Sequence, residues 1–322
     1  MSIWNPDAYH GHRKGHHYFE GWFFKVVDAS TNHAFAFIPG VFLDKDPEIA
    51  HAFIQVLDGQ TNRSTYHRYP LSTFRAAKNV FDVWIGNSHF QADEIRLDID
   101  SEGRKVQGTL KFEGITPYPV SLFSPGIMGP YAFAPLMQCY HGVVSLHHSI
   151  RGTLHLDEQA LNFDGGIGYT EKDWGKGFPK GYVWLQCNHF EGYPKMCFMG
   201  SVAHIPWVTG AFRGFLFALH LPDGEILRFT TYTGAKLNYV RITDTTVSME
   251  IQQRSYTLQV EAVRTNGGLL LAPYGRDMIV KIAETLRSEV QLKLWKNKDL
   301  LIDAQGIVAG MDVNGESVEI AG

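Results

Sequence analysis

The sequence predicts a mainly β protein: two antiparallel barrels or sandwiches, with one short helix near the C-terminus. Three observations predict it. Apolar residues, many of them β-branched or aromatic, recur with period two. Turn-forming clusters such as "LDGQTN", "DSEGRK", "LPDGE" and "RTNGG" separate these runs and read as hairpins. No βαβ rhythm occurs, which argues against a parallel nucleotide-binding sheet.

In chain order, the candidate strands of the first half are "YFEGWFFKVVD" (18–28), "HAFAFIPGVFL" (33–43), "HAFIQVLD" (51–58), "EIRLDID" (94–100) and "KVQGTLKFEG" (105–114). Those that follow are "HHSIRGTLHLD" (147–157), "GYVWLQCNHF" (181–190), "GAFRGFLFALHL" (210–221) and "TTVSMEIQQRSYTLQVEAV" (245–263). The helix is placed at 277–288, "DMIVKIAETLRS", because Met278, Ile279, Ile282, Ala283 and Leu286 recur at helical spacing and Arg287 suits a last turn. At 322 residues, two β units are more economical than one. The division falls in "LHLDEQALNFDGG", giving domains 1–160 and 161–322.

Composition narrows the function. The chain is 44% hydrophobic and 19% charged, which supplies ample core. Its formal charge of −4 lacks the basic excess of a nucleic-acid binder, so no nucleic-acid partner is expected. The 21 Phe, 14 Tyr and 7 Trp suit either a core or a large apolar pocket. Three cysteines make no disulfide framework. With no signal-peptide core at the start and no apolar run long enough for a membrane helix, a cytoplasmic protein is the expectation.

Three stretches carry candidate chemistry. In "YFEGWFFK" (18–25), strand geometry puts Tyr18, Glu20, Trp22 and Phe24 on one face, so a carboxylate stands among rings. That placement is costly unless the acid is paired, hydrogen-bonded or protonated. The second stretch, "SPGIMGPYAFAPLMQCYHGVVS" (124–145), runs from a Gly/Pro-rich loop into a strand carrying His141. The third, "GYTEKDWGKGFPKGYVWLQCNHF" (168–190), sets Glu171, Lys172, Asp173 and Trp174 in a turn-rich segment. Its following strand aligns Tyr182, Trp184, Gln186 and Asn188 on one face, a mixture better suited to a partly polar pocket than to a dry core. A bland reading stands beside each: Glu20 in a structural ion pair, His141 as a hydrogen-bonded core histidine, and 171–173 as a solvated turn.

Metal and cofactor signals are weak. Cys139-x-His141 and Cys187-x-His189 offer two ligand pairs, but without the knuckle spacing of structural zinc. The His-rich start (His10, His12, His16, His17) reads as surface or strand packing. No Walker A loop, dinucleotide fingerprint, GxSxG or HExxH occurs, so neither metal nor cofactor is expected.

Together the three stretches resemble the tocopherol cyclase-like family, and the resemblance runs on through "GIVAGMDVNG". It implies two lipocalin-like β-barrels packed side by side, within a clan that includes carotenoid hydratase-type and isoprenoid or polyketide cyclase-type relatives. Plant members protonate the alkene of a prenylated quinol and trap the cation with a phenol oxygen. Their motif reads EKNWG, and here Asp173 stands at the Asn position. The implied activity is cofactor-free, acid-catalysed cyclisation or hydration of a hydrophobic prenylated quinol, isoprenoid or lipid, with peripheral membrane contact for substrate pick-up. The expected catalytic residues are Glu20, Asp173, Glu171 and His141. Substrate would lie against Tyr18, Trp22, Trp174, Tyr182, Trp184, Gln186 and Asn188. The rival readings are a carrier that holds such a ligand unchanged and, less strongly, a zinc enzyme.

Overall fold

Alternation of buried and exposed side chains becomes strand almost throughout the computed structural model, which describes residues 3–135, 137–207, 210–274 and 277–315. By chain contacts the protein divides into two units, Met1–Phe178 with Leu269–Lys281, and Pro179–Gly268 with Ile282–Gly322.

The first fourteen strands are β1 (Tyr18–Val27), β2 (Ala34–Leu43), β3 (His51–Asp58), β4 (Ser64–Pro70), β5 (Phe74–Ala76), β6 (Asp82–Ile85), β7 (Ser88–Gln91), β8 (Glu94–Ser101), β9 (Arg104–Glu113), β10 (Val120–Ser121), β11 (Ser124–Pro125), β12 (Cys139–Leu156), β13 (Gln159–Asn162) and β14 (Gly166–Gly175). All but the β10–β11 hairpin join one antiparallel sheet, ordered β4-β3-β2-β1-β14-β12-β9-β8-β7-β6-β5, with β13 on β12. Its core face gathers Trp22, Phe24, Phe37, Phe90 and Phe112.

The remaining strands are β15 (Tyr182–Cys187), β16 (Cys197–Trp207), β17 (Gly210–His220), β18 (Ile226–Thr230), β19 (Lys236–Ile242), β20 (Thr246–Gln253), β21 (Tyr256–Val263), β22 (Gly268–Tyr274), β23 (Asp277–Lys296) and β24 (Asp299–Asn314). They form a second antiparallel sheet, β18-β17-β16-β15-β24-β23-β21-β20-β19, with β22 on β23. Val183, Leu185, Phe198, Phe217, Leu258 and Leu292 pack its core.

Three expectations need correction. The helix at 277–288 is strand: β23 buries Met278, Ile282 and Glu284 while exposing Ile279 and Ala283, and Thr285 pairs across to Met311. Its helix-favouring composition is overridden by ladders on both sides. The turn-rich reading of 168–175 is likewise replaced by β14, which is sandwiched between β1 and β12. Closed barrels are not found, because both hydrogen-bonded orders run open among the described residues.

Candidate functional site

The register of β1 on β14 decides which acids can meet. Glu20 lies opposite Trp174, Trp22 opposite Lys172, and Gly21 opposite Asp173. Directly paired residues share a face, so Glu20, Trp22, Lys172 and Trp174 point one way, and Glu171 and Asp173 point the other. The acids of the first and third stretches therefore do not share one hollow.

On the core side, Lys172 Nζ stands 2.6 Å from Glu20 Oε1, and both side chains are 0% exposed. The His10 backbone N–H donates to Glu20 Oε1 at 2.9 Å and Oε2 at 3.0 Å, and the Tyr18 hydroxyl donates to Oε2. Lys172 donates to Pro6 O at 3.1 Å and to Ala8 O, and its ammonium lies 2.7 Å from His10 Nδ1. The ammonium also sits 5.0 Å from the ring centre of Trp22 and 4.7 Å from that of Trp174. Burial drives the Glu20 carboxyl upward, but Lys172 and the His10 hydrogen bond outweigh it and hold it below its ordinary value. Burial likewise lowers Lys172, against the pull of Glu20. Glu20 is thus an ionised carboxylate, and the rings of Trp22 and Trp174 are committed to its counter-ion.

On the opposite face of the same strands, His141 pairs across to Asp173. Its Nδ1 is 2.9 Å from Asp173 Oδ1, and its Nε2 lies 3.5 Å from Glu171 Oε2. That Nε2 is buried and makes no hydrogen bond among the described residues. The Tyr169 hydroxyl donates to Glu171 Oε2 at 2.5 Å, and Cys139 Sγ lies 3.8 Å from Asp173 Oδ1. Burial disfavours an imidazolium here, yet Glu171 and Asp173 overcome it and raise His141 to about 9. The cluster therefore holds a proton at neutral pH. One ligand atom each from His141, Glu171 and Asp173 lie within 4.8 Å of one another, a spacing that a divalent cation would also accept. This trio, rather than the two Cys-x-His pairs, is the metal-capable group among the described residues.

Tyr182, Trp184, Gln186 and Asn188 lie in the second unit, on or just beyond β15, and all four are buried. Val183 and Leu185 turn into that unit's core, so Tyr182, Trp184 and Gln186 occupy the other face of the strand. Register sets Trp184 opposite Asp312, and Asp312 opposite Glu284. Gly310 makes room for the indole, since a Cβ there would stand 2.9 Å from Trp184 Cζ3 and Cη2. The Tyr182 hydroxyl donates to Asp312 Oδ2 at 2.6 Å, whereas Asp312 Oδ1 is buried with no hydrogen-bond partner among the described residues. Burial raises the Asp312 carboxyl to about 7, although the Tyr182 hydrogen bond pulls it down. Burial beside Tyr182 and Trp184 thus favours the protonated form of Asp312, whereas Lys172 and His10 favour the charged form of Glu20.

Sequence reasoning missed Asp312, Glu284 and the partnership of His10 with Lys172. Asp312 carried a legible signal, being a lone acid in the apolar run "GIVAGMDV", much as Glu20 is in its own strand. His10 carried none, because its role depends on where the N-terminal segment crosses the sheet.

A family model described as tocopherol cyclase-like matches residues 125–315, which include His141, Glu171, Asp173, Trp184 and Asp312. The chloroplastic tocopherol cyclase of Zea mays is 24% identical over 185 residues, covering 51% of this chain and 36% of the maize protein's length. A second chloroplastic relative, from Oryza sativa subsp. japonica, is 23% identical over 185 residues, covering 51% of this chain and 37% of its own. The crystal structure of CghA superposes with a TM-score of 0.61 at 12% identity, covering 93% of this chain and 88% of CghA. That of kievitone hydratase from Nectria haematococca gives 0.54 at 11% identity, covering 98% and 92%. At those identities the likeness speaks for fold. The family match, which takes in more than half the chain and both clusters that lie away from the cores, is the stronger statement: this protein belongs to the tocopherol cyclase-like family.

Proposed function

We propose that the protein catalyses acid-promoted cyclisation or hydration of a prenylated or isoprenoid hydrophobic substrate, with Asp312 as the proton donor. The observation that carries this reading is a buried carboxyl held at about 7 beside Tyr182 and Trp184. An acid with a value near the working pH is both protonated and able to release its proton. The proton passes from Asp312 to the less substituted alkene carbon, leaving a tertiary cation on its neighbour. A phenol or water oxygen then attacks that cation, and the oxonium proton returns to the carboxylate. Trp184 would stabilise the cation, by about 1–2 kcal/mol when dry. Relatives named as a cyclase and a hydratase are consistent with either nucleophile. Glu20, paired with Lys172, serves to hold structure.

A second candidate donor is the His141 imidazolium between Asp173 and Glu171, favoured by its elevated value and its unbonded Nε2. Turnover of prenylated quinols and linear isoprenoids by wild type, Asp312→Asn, His141→Gln and Asp173→Asn decides. Asp312→Asn is expected to lose about 10²–10⁴-fold in kcat. Full activity in that variant, with loss confined to His141→Gln and Asp173→Asn, would move the donor to His141. Recovery of an unchanged lipid by native mass spectrometry, with no product after prolonged incubation, would replace the enzyme with a carrier.

A further inference from the structure

Residues 114–150 contain no Asp, Glu, Lys or Arg, yet part of that stretch lies on the surface of the first unit. The β10–β11 hairpin pairs Val120 with Pro125 and Ser121 with Ser124, which pushes Leu122 and Phe123 out at its tip. They are 65% and 79% exposed. Trp4 Nε1 donates to Leu122 O at 3.2 Å, and the Trp4 ring meets Phe133 edge-on at 6.1 Å, so the N-terminal segment joins the same patch. Trp4, Phe133 and Val120 are themselves exposed. Asn5 bonds to Asn79 O at 2.9 Å, which brings exposed Val80 alongside. An apolar, charge-free surface built around a projecting tip is not what water selects.

Its flank is basic. Lys78 precedes Asn79 and Val80, and Arg13 and Lys14 follow His12, whose Nε2 is 3.1 Å from Ala77 O. Asp7 is the carboxylate of the adjoining N-terminal segment, and it is half-buried. Aromatic and aliphatic tips with cations along one flank fit a monotopic membrane contact, in which rings enter the acyl boundary and Lys and Arg meet anionic headgroups.

We propose that this patch docks the protein on an anionic lipid bilayer, with Leu122 and Phe123 inserted and Arg13, Lys14 and Lys78 at the headgroups. The proposal does not depend on the chemistry assigned above, because binding is read without substrate. Pro6, two residues from Trp4, packs beside Gly142 of β12, where a Cβ would stand 3.2 Å from Pro6 Cβ. The N-terminal part of the patch thus runs onto the face of β12 and β14 that carries Lys172.

The test is flotation of the full chain with vesicles of phosphatidylcholine mixed equally with phosphatidylglycerol, and with phosphatidylcholine alone. Wild type is expected to float with the anionic vesicles. The double variant Leu122→Asp/Phe123→Asp is expected to lose about tenfold or more in partitioning. Lys14→Glu and Lys78→Glu should each cost about fivefold, and only on anionic vesicles. Leu300→Asp, an exposed apolar residue of the second unit, should change nothing. Circular dichroism and melting temperature confirm folding of each variant. Absence of wild-type binding, equal binding by the hairpin variant, or equal loss in Leu300→Asp would overturn the proposal. So would a dimer in light scattering that the hairpin variant abolishes, since the patch would then seat a second copy.

Discussion

Replacing Lys172 by Met removes a cation from a site with no access to water, while keeping most of the side chain's length. The Glu20 carboxylate would then remain at 0% exposure with its 2.6 Å partner gone. At an effective dielectric near 20 that contact is worth about 6 kcal/mol of attraction, set against several kcal/mol of desolvation per ion. Removing one member of such a pair costs about 3–5 kcal/mol, because the survivor stays buried and uncompensated. Pro6 O and Ala8 O also lose their donor. A domain's whole stability is about 5–15 kcal/mol, so Lys172→Met should unfold the first unit early in a urea titration followed by tryptophan fluorescence. Glu20→Gln/Lys172→Met should recover about 2 kcal/mol over Lys172→Met, since a neutral amide can still accept the His10 N–H. The pH dependence follows from the same pair. Glu20 is held below its ordinary value when folded, so its stabilisation is present above the unfolded value and lost as pH falls through the folded one. Glu20→Gln should therefore flatten the acid limb of the stability curve. A Lys172→Met protein within 1 kcal/mol of wild type, or a double variant whose losses simply add, would refute this account of the pair.

Asp312 has the opposite sign. Its folded carboxyl sits at about 7 against an ordinary 3.8, so stability falls as pH rises from about 4 and the full penalty applies above about 7. Asp312→Asn should raise the melting temperature at pH 8 relative to pH 4, with an upper bound of about 4 kcal/mol from some three pH units; a pH-independent difference would count against a buried neutral acid. Gly40→Ala should destabilise the first unit by about 1–3 kcal/mol in urea, because its Cβ would overlap the Phe53 ring and stand 2.8 Å from Glu20 O. An unchanged midpoint would mean that β3 yields at that crossing.

The β class and the alternating faces of β1 and β15 were legible because period two is a local signal that packing reinforces. Tyr18, Glu20, Trp22 and Phe24 share a face as expected. The strand at 277–288 was not legible, since Met, Ile, Ala, Glu and Leu favour helix locally and only pairing of β23 with β22 and β24 overrules them. At the candidate site, residue types were readable and their grouping was not. Grouping Glu171 and Asp173 with His141 rather than with Glu20 required the β1–β14 and β12–β14 registers, which no single stretch contains. Asp312 escaped notice because its partner Tyr182 lies 130 positions away.

The alternation of charge along Glu171, Lys172 and Asp173 has a folding consequence. Were β14 to slide by one residue against β1 and β12, the ammonium would turn away from Glu20, and two carboxylates would enter the aromatic core beside it. Misalignment would thus gather three like charges in an oily interior, an arrangement far costlier than the correct one. The tripeptide therefore acts as a key that only one alignment of the central strands accepts, and the fidelity of assembly rests on the same three side chains that divide the chemistry between the two faces.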